Sequence, residues 1–146
     1  MNNYETLATD EKINKVIEGL KTRGMEGLVV NTSAEALEKI KSLITPGASV
    51  MNGASKTLEQ IGYVDYLKSG THEWNNLHQA ILAEKDPQKQ ALLRKQSSIS
   101  DFYLGSVHAI TEDGEMVIAS NTGSQLPHMV FTSQNIILVA GTQKIA

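Results

Sequence analysis

The first periodic stretch of the chain covers residues 10–24. Its apolar positions follow the i, i+3, i+4, i+7 spacing of one helix face: Ile13, Val16, Ile17 and Leu20. Gly24 then supplies a common helix terminator. We therefore predict an amphipathic helix that ends near Gly24 and lays its apolar stripe on a sheet.

Short apolar runs alternate with helical patterns over the next 40 residues. Residues 27–30, GLVV, predict a strand, and Thr32 with Glu35 predicts a capping box that opens a second helix. Pro46-Gly47 ends that helix, and residues 48–51 predict another strand. Residues 52–57 lead from this strand into a helix beginning near Leu58. The pattern is strand, helix, strand, helix.

The second half of the chain is less uniform. Residues 63–100 predict a partly packed helical segment around Trp74 and a polar helix over residues 87–99, but no strand. Residues 107–110 and 116–119 flank an Asp113-Gly114 turn and predict an antiparallel hairpin. After a polar loop at residues 121–125, the apolar run 135–140 predicts the last strand.

These elements predict one α/β domain spanning residues 1–146. Strands that alternate with helices and are apolar nearly throughout indicate a mainly parallel sheet covered by helices, here with an antiparallel hairpin added. Ligands of such sheets bind at the carboxyl ends of the strands. We therefore expect a site where those ends meet.

Composition narrows the classes of function. The formal net charge of −3 and pI near 5.8 disfavour nucleic-acid binding. The absence of cysteine excludes a cysteine-ligated iron–sulfur cluster in this chain, so an electron-carrying centre would belong to a partner. The polar, acidic residues 1–10 do not resemble a secretory signal, and no apolar run is long enough for a membrane span. We predict a cytoplasmic protein.

The loop at residues 53–57 is the first candidate site. Gly53, Ser55, Lys56 and Thr57 lie between a predicted strand and a predicted helix, where free N–H groups favour a small anionic metabolite and Lys56 adds positive charge. The loop lacks the Walker A, dinucleotide-binding and nucleophile-elbow patterns. The structural alternative is that Ser55 or Thr57 only caps the helix, with Gln60 completing a box from Thr57.

A second loop, residues 121–124, has the same character. Asn121, Thr122, Gly123 and Ser124 are candidate ligand contacts at the same sheet edge. The alternative is a plain connection whose glycine permits a positive φ angle.

Glu112 is the candidate catalytic residue, as a general base or nucleophile, although a solvated carboxylate beside an Asp-Gly turn is the more common situation. The four histidines have no zinc-site spacing, so we predict no metal site, and no motif indicates a cofactor. His108 and His128 are expected to be structural, with ligand hydrogen bonding as the alternative.

Two segments carry a family resemblance. Residues 101–114, DFYLGSVHAITEDG, resemble the signature segment of LUD (lactate-utilisation) domains. Residues 52–62, NGASKTLEQIG, resemble the family's G-x-S-x-T-L-x-x-I/L-G loop, and residues 139–145 resemble its following strand. The resemblance covers most of the chain from about Asp10 onward.

The resemblance implies a ribose-5-phosphate isomerase/CoA-transferase-like fold and a role in lactate or related organic-acid utilisation beside an iron–sulfur oxidoreductase partner. It carries Gly53, Ser55, Thr57, Glu112 and Gly123 over as candidate ligand contacts. Two alternatives stay open: an isomerase or CoA-transferase-like enzyme acting on a phosphorylated or CoA-linked metabolite through Glu112, and a non-catalytic metabolite-binding module.

This chain departs from the family pattern at its end. Members of the family usually continue past the strand near Gly141 with a helix and further strands, whereas this sequence stops at Ala146. We expect part of the usual pocket to be missing, in a truncated form or a short variant. An uncovered sheet edge also predicts a homo-oligomer.

Overall fold

The computed structural model describes residues 5–146; residues 1–4, part of the acidic amino-terminal stretch, lie outside the described residues. Six α-helices occur in the described part: α1 Asp10–Thr22, α2 Ser33–Leu43, α3 Lys56–Gln60, α4 Tyr63–Ser69, α5 Leu77–Ala83 and α6 Pro87–Gln96. The strands are β1 Ser49–Asn52, β2 Asn75–Asn76, β3 Phe102–Gly105, β4 Ala109–Ile110, β5 Met116–Val117 and β6 Asn135–Leu138. A π-helix, His128–Thr132, precedes β6, and a 3-10 helix, Thr142–Lys144, follows it.

Four of the strands form one parallel sheet in the order β2-β1-β3-β6. β4 and β5 form a separate antiparallel pair. The predicted class, an α/β protein with a mainly parallel sheet, flanking helices and one hairpin, is confirmed. β6 is an edge strand of this sheet.

A serine–aspartate pair fixes the register of the two central strands at their amino ends. The Asp101 carboxylate accepts hydrogen bonds from the Ser49 N–H at 2.7 Å and the Ser49 hydroxyl at 2.8 Å, while the Asp101 N–H donates to Ser49 Oγ at 2.9 Å. The backbone and side-chain bonds from Ser49 lower the pKa of Asp101. The pair helps to set the register of β1 and β3, in which Asn52 lies opposite Leu104.

Helices cover the sheet through three apolar clusters. In the first cluster, α2, α3 and α4 pack on β1 and β3; its most buried members are Ile40, Val50, Leu58, Tyr63 and Leu104. A second cluster joins Val16 and Leu20 of α1 to Val107 and Ile110 beside the hairpin. A third joins Met51, Tyr103 and Ile81 of α5. The predicted amphipathic stripe of α1 therefore packs mainly around the hairpin.

Local sequence signals explain several helix ends. Thr32 Oγ1 accepts a bond from the Glu35 N–H at 3.1 Å, and the Glu35 carboxylate accepts from the Asn31 N–H at 2.8 Å. The predicted capping pair is present, with the reciprocal bond displaced by one residue. Ser55 Oγ accepts from the Leu58 N–H at 3.3 Å, so Ser55 is the cap of α3, whereas Thr57 lies inside that helix.

The strand predicted at residues 27–30 is wrong. The segment belongs to no helix or strand, and Leu28 and Val29 are 46% and 57% exposed. Residues 26–31 form no backbone–backbone hydrogen bond with any part of the described chain. The apolar sequence favours β structure, but no neighbouring strand supplies the hydrogen bonds that would define it.

Two parallel strands lie where no strand was predicted. β2 is only two residues long and polar, which gives no periodic signal, and it lies inside the segment 63–100 predicted to lack strands. β3 directly precedes the hairpin. The hairpin itself is confirmed with shorter strands than predicted, the Asp113-Gly114 turn included, and Gly114 has φ +80°. No helix within residues 5–146 is long and apolar enough to span a membrane.

Candidate functional site

The carboxyl ends of the central strands meet at one edge of the sheet. β1 ends at Asn52, β3 at Gly105 and β6 at Leu138, all in parallel register. The segments that leave this edge are residues 53–55, 106–108 and 139–141. Side chains from all three chain regions can therefore converge here, as expected for a parallel sheet.

Lys144 lies at the centre of a group that we call the lysine–hydroxyl cluster, consisting of Thr57, Ser106, Lys144 and the carbonyl of Val107. Lys144 Nζ donates to Val107 O at 2.8 Å, Ser106 Oγ at 2.9 Å and Thr57 Oγ1 at 3.1 Å. The Ser106 hydroxyl also lies 3.2 Å from Thr57 Oγ1, as a donor. Two segments distant in sequence, Thr57 and Ser106-Val107, thus place their polar groups around the ammonium of a third segment.

The charge of Lys144 has no carboxylate partner among residues 5–146. Burial lowers its pKa, because desolvation penalises the ammonium form and its hydrogen-bond partners are neutral oxygens. Lys56, the lysine that the sequence favoured, is exposed and pairs with Glu59 at 2.8 Å, which raises its pKa. Lys144 is the better-placed cation for an anionic ligand.

The two predicted polar loops also meet at this edge. A methyl group placed on Gly53 would lie 2.6 Å from Gln125 Cδ and 2.7 Å from the Tyr103 hydroxyl, so any other residue here would require these side chains to shift. The Tyr103 hydroxyl donates to Gln125 Oε1 at 3.2 Å. Burial raises the pKa of Tyr103 to about 12, so the phenol stays protonated at neutral pH.

A second polar group is buried beside these contacts. Asn52, at the end of β1, is 5% exposed; its amide nitrogen donates to Gly53 O at 3.2 Å, while its Oδ1 has no partner within the described residues. His128 is buried, stacks on Tyr103 with ring centroids 4.6 Å apart, and lies 3.3 Å from Ser133 Oγ. Burial lowers the pKa of His128, consistent with the predicted structural histidine.

The predicted ligand contacts fall into separate groups. Thr57 belongs to the lysine–hydroxyl cluster, while Ser55 caps α3. In the second loop Thr122 and Ser124 are exposed and bond to each other at 2.9 Å, and no atom lies within 4 Å of a methyl group placed on Gly123, whose φ is +74°. Asn121 is likewise exposed. That loop reaches the edge through its next residue, Gln125.

Glu112 forms part of an ionic latch, which we define as the contacts that join α1 to the hairpin. The Glu112 carboxylate lies 3.1 Å from Lys15 Nζ and 3.6 Å from Lys12 Nζ. The Lys15 hydrogen bond is the main cause of a lowered pKa of Glu112. In the same latch Arg23 donates to Asp113 O at 3.1 Å and pairs with Glu115 at 3.5 Å. The catalytic assignment of Glu112 stays a prediction.

An open hollow of about 810 Å³ lies against this latch, between α1 and the hairpin turn. Its cations Lys15 and Arg23 are already paired with carboxylates. An incoming anion would have to compete with Glu112 and Glu115. We therefore base the candidate site on the lysine–hydroxyl cluster, whose ammonium has only neutral partners.

Sequence reasoning missed Lys144, Ser106, Tyr103 and Gln125. Ser106 and Tyr103 lay inside the quoted segment 101–114 and Lys144 inside segment 139–145, so the resemblance contained them without indicating that they meet. Gln125 is the last residue of the second polar loop, residues 121–125, and was not among the predicted contacts. Within residues 5–146, no group of three or more His, Asp or Glu side chains could hold a metal ion.

The fold and the edge cluster define an α/β protein with a polar site at the carboxyl ends of a parallel sheet. The family model described as the LUD domain matches residues 13–146, and the chain belongs to the LUD domain family. No curated protein and no solved structure matches the chain.

Proposed function

We propose that this LUD-domain chain binds a small anionic metabolite at the lysine–hydroxyl cluster. We further propose that it serves as a component of lactate or related organic-acid utilisation and carries no iron–sulfur cluster of its own. Family membership supports the second part, together with a sequence that contains no cysteine. Redox chemistry would then belong to an iron–sulfur oxidoreductase partner.

The observation that carries the binding proposal is the environment of Lys144. A partly buried ammonium is costly unless it is compensated, and its neighbours among residues 5–146 supply only hydroxyl and carbonyl oxygens. A carboxylate or phosphate arriving at this edge would supply the missing negative charge. Because the three ammonium protons already bond Val107 O, Ser106 and Thr57, the ligand would gain a charge-assisted hydrogen bond by displacing one of the two hydroxyls.

The two hydroxyls give the cluster directional character. Ser106 and Thr57 can each turn a hydroxyl proton toward an incoming oxygen, because a hydroxyl both donates and accepts. Lys144 would then supply charge while the two hydroxyls orient the anion. Val107 O, a carbonyl, keeps one ammonium proton occupied and so fixes the direction of the lysine side chain.

The test is a thermal-shift and calorimetric comparison of lactate, pyruvate, inorganic phosphate and CoA. Selective binding to the folded chain raises its stability, by about 2.7 kcal/mol at a ligand concentration 100 times Kd. We expect Lys144→Met to weaken binding at least about tenfold, which corresponds to about 1.4 kcal/mol, and Lys144→Arg to retain part of it.

Lys56→Met is the matched control. Lys56 is the first residue of α3 and directly precedes Thr57 of the cluster, but its side chain is exposed and pairs with Glu59. We expect this variant to bind the anion as tightly as the wild-type chain. Equal losses in the two methionine variants, or a loss only at Lys56, would show that Lys144 is not the anion-binding cation.

A non-catalytic metabolite-binding module is the second candidate. Lys144 Nζ donates to three acceptor oxygens, and an ammonium that donates in this way cannot act as a base. The two candidates differ in whether the ligand is converted. A binding module always releases its ligand unchanged, whereas a utilisation component supports conversion of the ligand once its redox partner is added. The same ligand screen with product analysis separates them.

A further inference from the structure

Two four-residue segments of the described chain have backbone groups without a backbone partner. One is β6, residues 135–138, whose outer edge is open, and the other is segment 27–30, which belongs to no helix or strand. We propose that two copies of this chain associate by pairing segment 27–30 of one copy with the β6 edge of the other, reciprocally about a two-fold axis. Each sheet would then gain a fifth strand.

The β6 edge has backbone groups available for such a pairing. The N–H groups of Asn135 and Val139 donate to Asp101 O and Gly105 O, which turns this set of alternate residues toward β3. Ile136 and Leu138 therefore direct their backbone groups away from β3, since hydrogen bonding alternates along a parallel strand. Ile136 is also 41% exposed. An apolar strand with an open edge is a site for strand addition.

Segment 27–30 supplies the complementary element. Its sequence, GLVV, has high β propensity, and residues 26–31 form no backbone–backbone hydrogen bond within residues 5–146. Leu28 and Val29 are about half exposed. Pairing this segment with an edge strand would satisfy open backbone groups and bury apolar side chains in one step.

Charge favours a second copy as the occupant. The chain has a net charge of −3, so copies repel each other in general, but the 28 residues from 116 to 143 contain no Asp, Glu, Lys or Arg. β6 lies in this run, and so does Phe131, which is 89% exposed. Segment 27–30 is also uncharged. Two copies can meet through these surfaces without burying like charges, as an isologous interface requires.

The first experiment uses the absence of cysteine in the sequence. Val29→Cys and Ile136→Cys are made as separate variants, mixed, and treated with a short bismaleimide. We expect a covalent species of twice the 15.9 kDa monomer mass that joins one Val29→Cys chain to one Ile136→Cys chain. A mixture of Val29→Cys with Lys68→Cys, whose lysine is exposed on α4, is the control for random collision.

The double variant, Val29→Cys with Ile136→Cys, distinguishes the two possible origins of the contact. If segment 27–30 pairs with β6 of its own chain, the cross-link forms within a monomer and the mixed variants give no covalent dimer. That result would overturn the proposal. Cross-linking between chains in both experiments would support it.

Proline variants test the backbone pairing itself. Alternate N–H groups of a strand point to opposite sides, so Leu28→Pro or Val29→Pro must remove a donor from the pairing side. We expect at least one of them to raise the dimer dissociation constant about tenfold or more by sedimentation, while circular dichroism stays unchanged. Val29→Thr retains the N–H and a β-branched side chain and should dimerise normally. A monomeric wild-type chain at high concentration would also refute the proposal.

Discussion

The ionic latch and the lysine–hydroxyl cluster both hold lysine side chains, but in opposite electrostatic situations. In the latch, Lys15 pairs with Glu112, which raises the pKa of the lysine and lowers that of the carboxylate. In the cluster, Lys144 is surrounded by neutral oxygens and burial lowers its pKa. The first charge is neutralised within the chain, and the second is not.

The difference shows how to tell a structural charge from a candidate ligand contact. Exposed ion pairs such as the latch contribute little to stability individually, and they leave no unmet charge for a ligand. A partly buried cation without a counter-ion has a cost that a bound anion can offset. The more promising binding site is therefore the one where the lysine has neutral hydrogen-bond partners instead of a carboxylate.

The two regions are joined by one apolar cluster. Val107 directly follows Ser106, and Ile145 directly follows Lys144; both pack in the cluster formed around Val16 and Leu20 of α1. Ile145 also forms a bridge with Ile110 of β4. The position of Lys144 therefore depends on the same helix and hairpin that the latch connects.

The largest expected effect comes from Gly19→Ala, which breaks the contact between α1 and the hairpin. The new methyl group would overlap the Asp113 carbonyl carbon and lie 2.8 Å from the Gly114 nitrogen, both backbone atoms. Overpacking of this kind costs about 1–3 kcal/mol, more than the roughly 1 kcal/mol that alanine gains in a helix. We expect urea denaturation to show a net loss of stability.

Glu18→Ala is the matched control for this substitution. It lies next to Gly19 on the same helix and is exposed, so its effect should stay within about 0.5 kcal/mol. Unchanged stability in Gly19→Ala would mean that α1 and the hairpin separate easily, and that the latch does not fix the position of the hairpin.

A smaller effect is expected from the pH dependence of anion affinity, which separates Lys144 from Lys15. Anion binding needs the Lys144 ammonium, which is fully present below the folded-state pKa and is lost as pH rises through it. Because burial lowers that pKa, affinity should begin to fall before ordinary lysines titrate, by up to about tenfold per pH unit. Calorimetry over a rising pH series measures this decline.

The latch should persist to higher pH in the same series. The Lys15 pKa is raised by Glu112, so this pair persists to higher pH than the charged state of Lys144. An affinity that stays constant until exposed lysines lose their protons would contradict the proposed role of Lys144.

The smallest effect is expected from Glu112→Gln. The Glu112 carboxyl has a lowered pKa, so its contribution is present above the unfolded-state pKa and disappears as pH falls through the folded-state value. We expect slightly lower stability at neutral pH, a difference that vanishes in acid, and unchanged anion affinity. A loss of turnover with bound metabolite would instead support the predicted catalytic role of Glu112.

Sequence periodicity predicted the parts of the fold whose signals are local. The stripe of α1, the Thr32 cap and the Asp113-Gly114 turn each depend on residues a few positions apart, and the structure contains all three. Segment 27–30 shows the limit of this approach. Its apolar sequence predicted a strand and the prediction was wrong, because strand formation also requires a neighbouring strand, which the local pattern does not reveal.

The site proposed from the structure lies at the sheet edge that the sequence indicated, but most of its residues were not among the predicted contacts. The rule for parallel sheets gave the edge, and Thr57 was among the predicted contacts. Lys144 could not be found in this way, because it lies 87 residues from Thr57 and its neighbours carry no motif. Lys56 was predicted as the cation because it is next to Ser55 and Thr57 in the sequence, although its ammonium pairs with Glu59.

The bonds between Ser49 and Asp101 also have a consequence for the order of folding. They join residues 52 positions apart, and the contacts between Lys144 and Thr57 span 87. Non-local contacts of this kind form slowly because long loops must close first. We expect helix formation in α1 and α2 to precede the central strand pairing, and the ability to bind an anion to appear among the last properties that the refolding chain acquires.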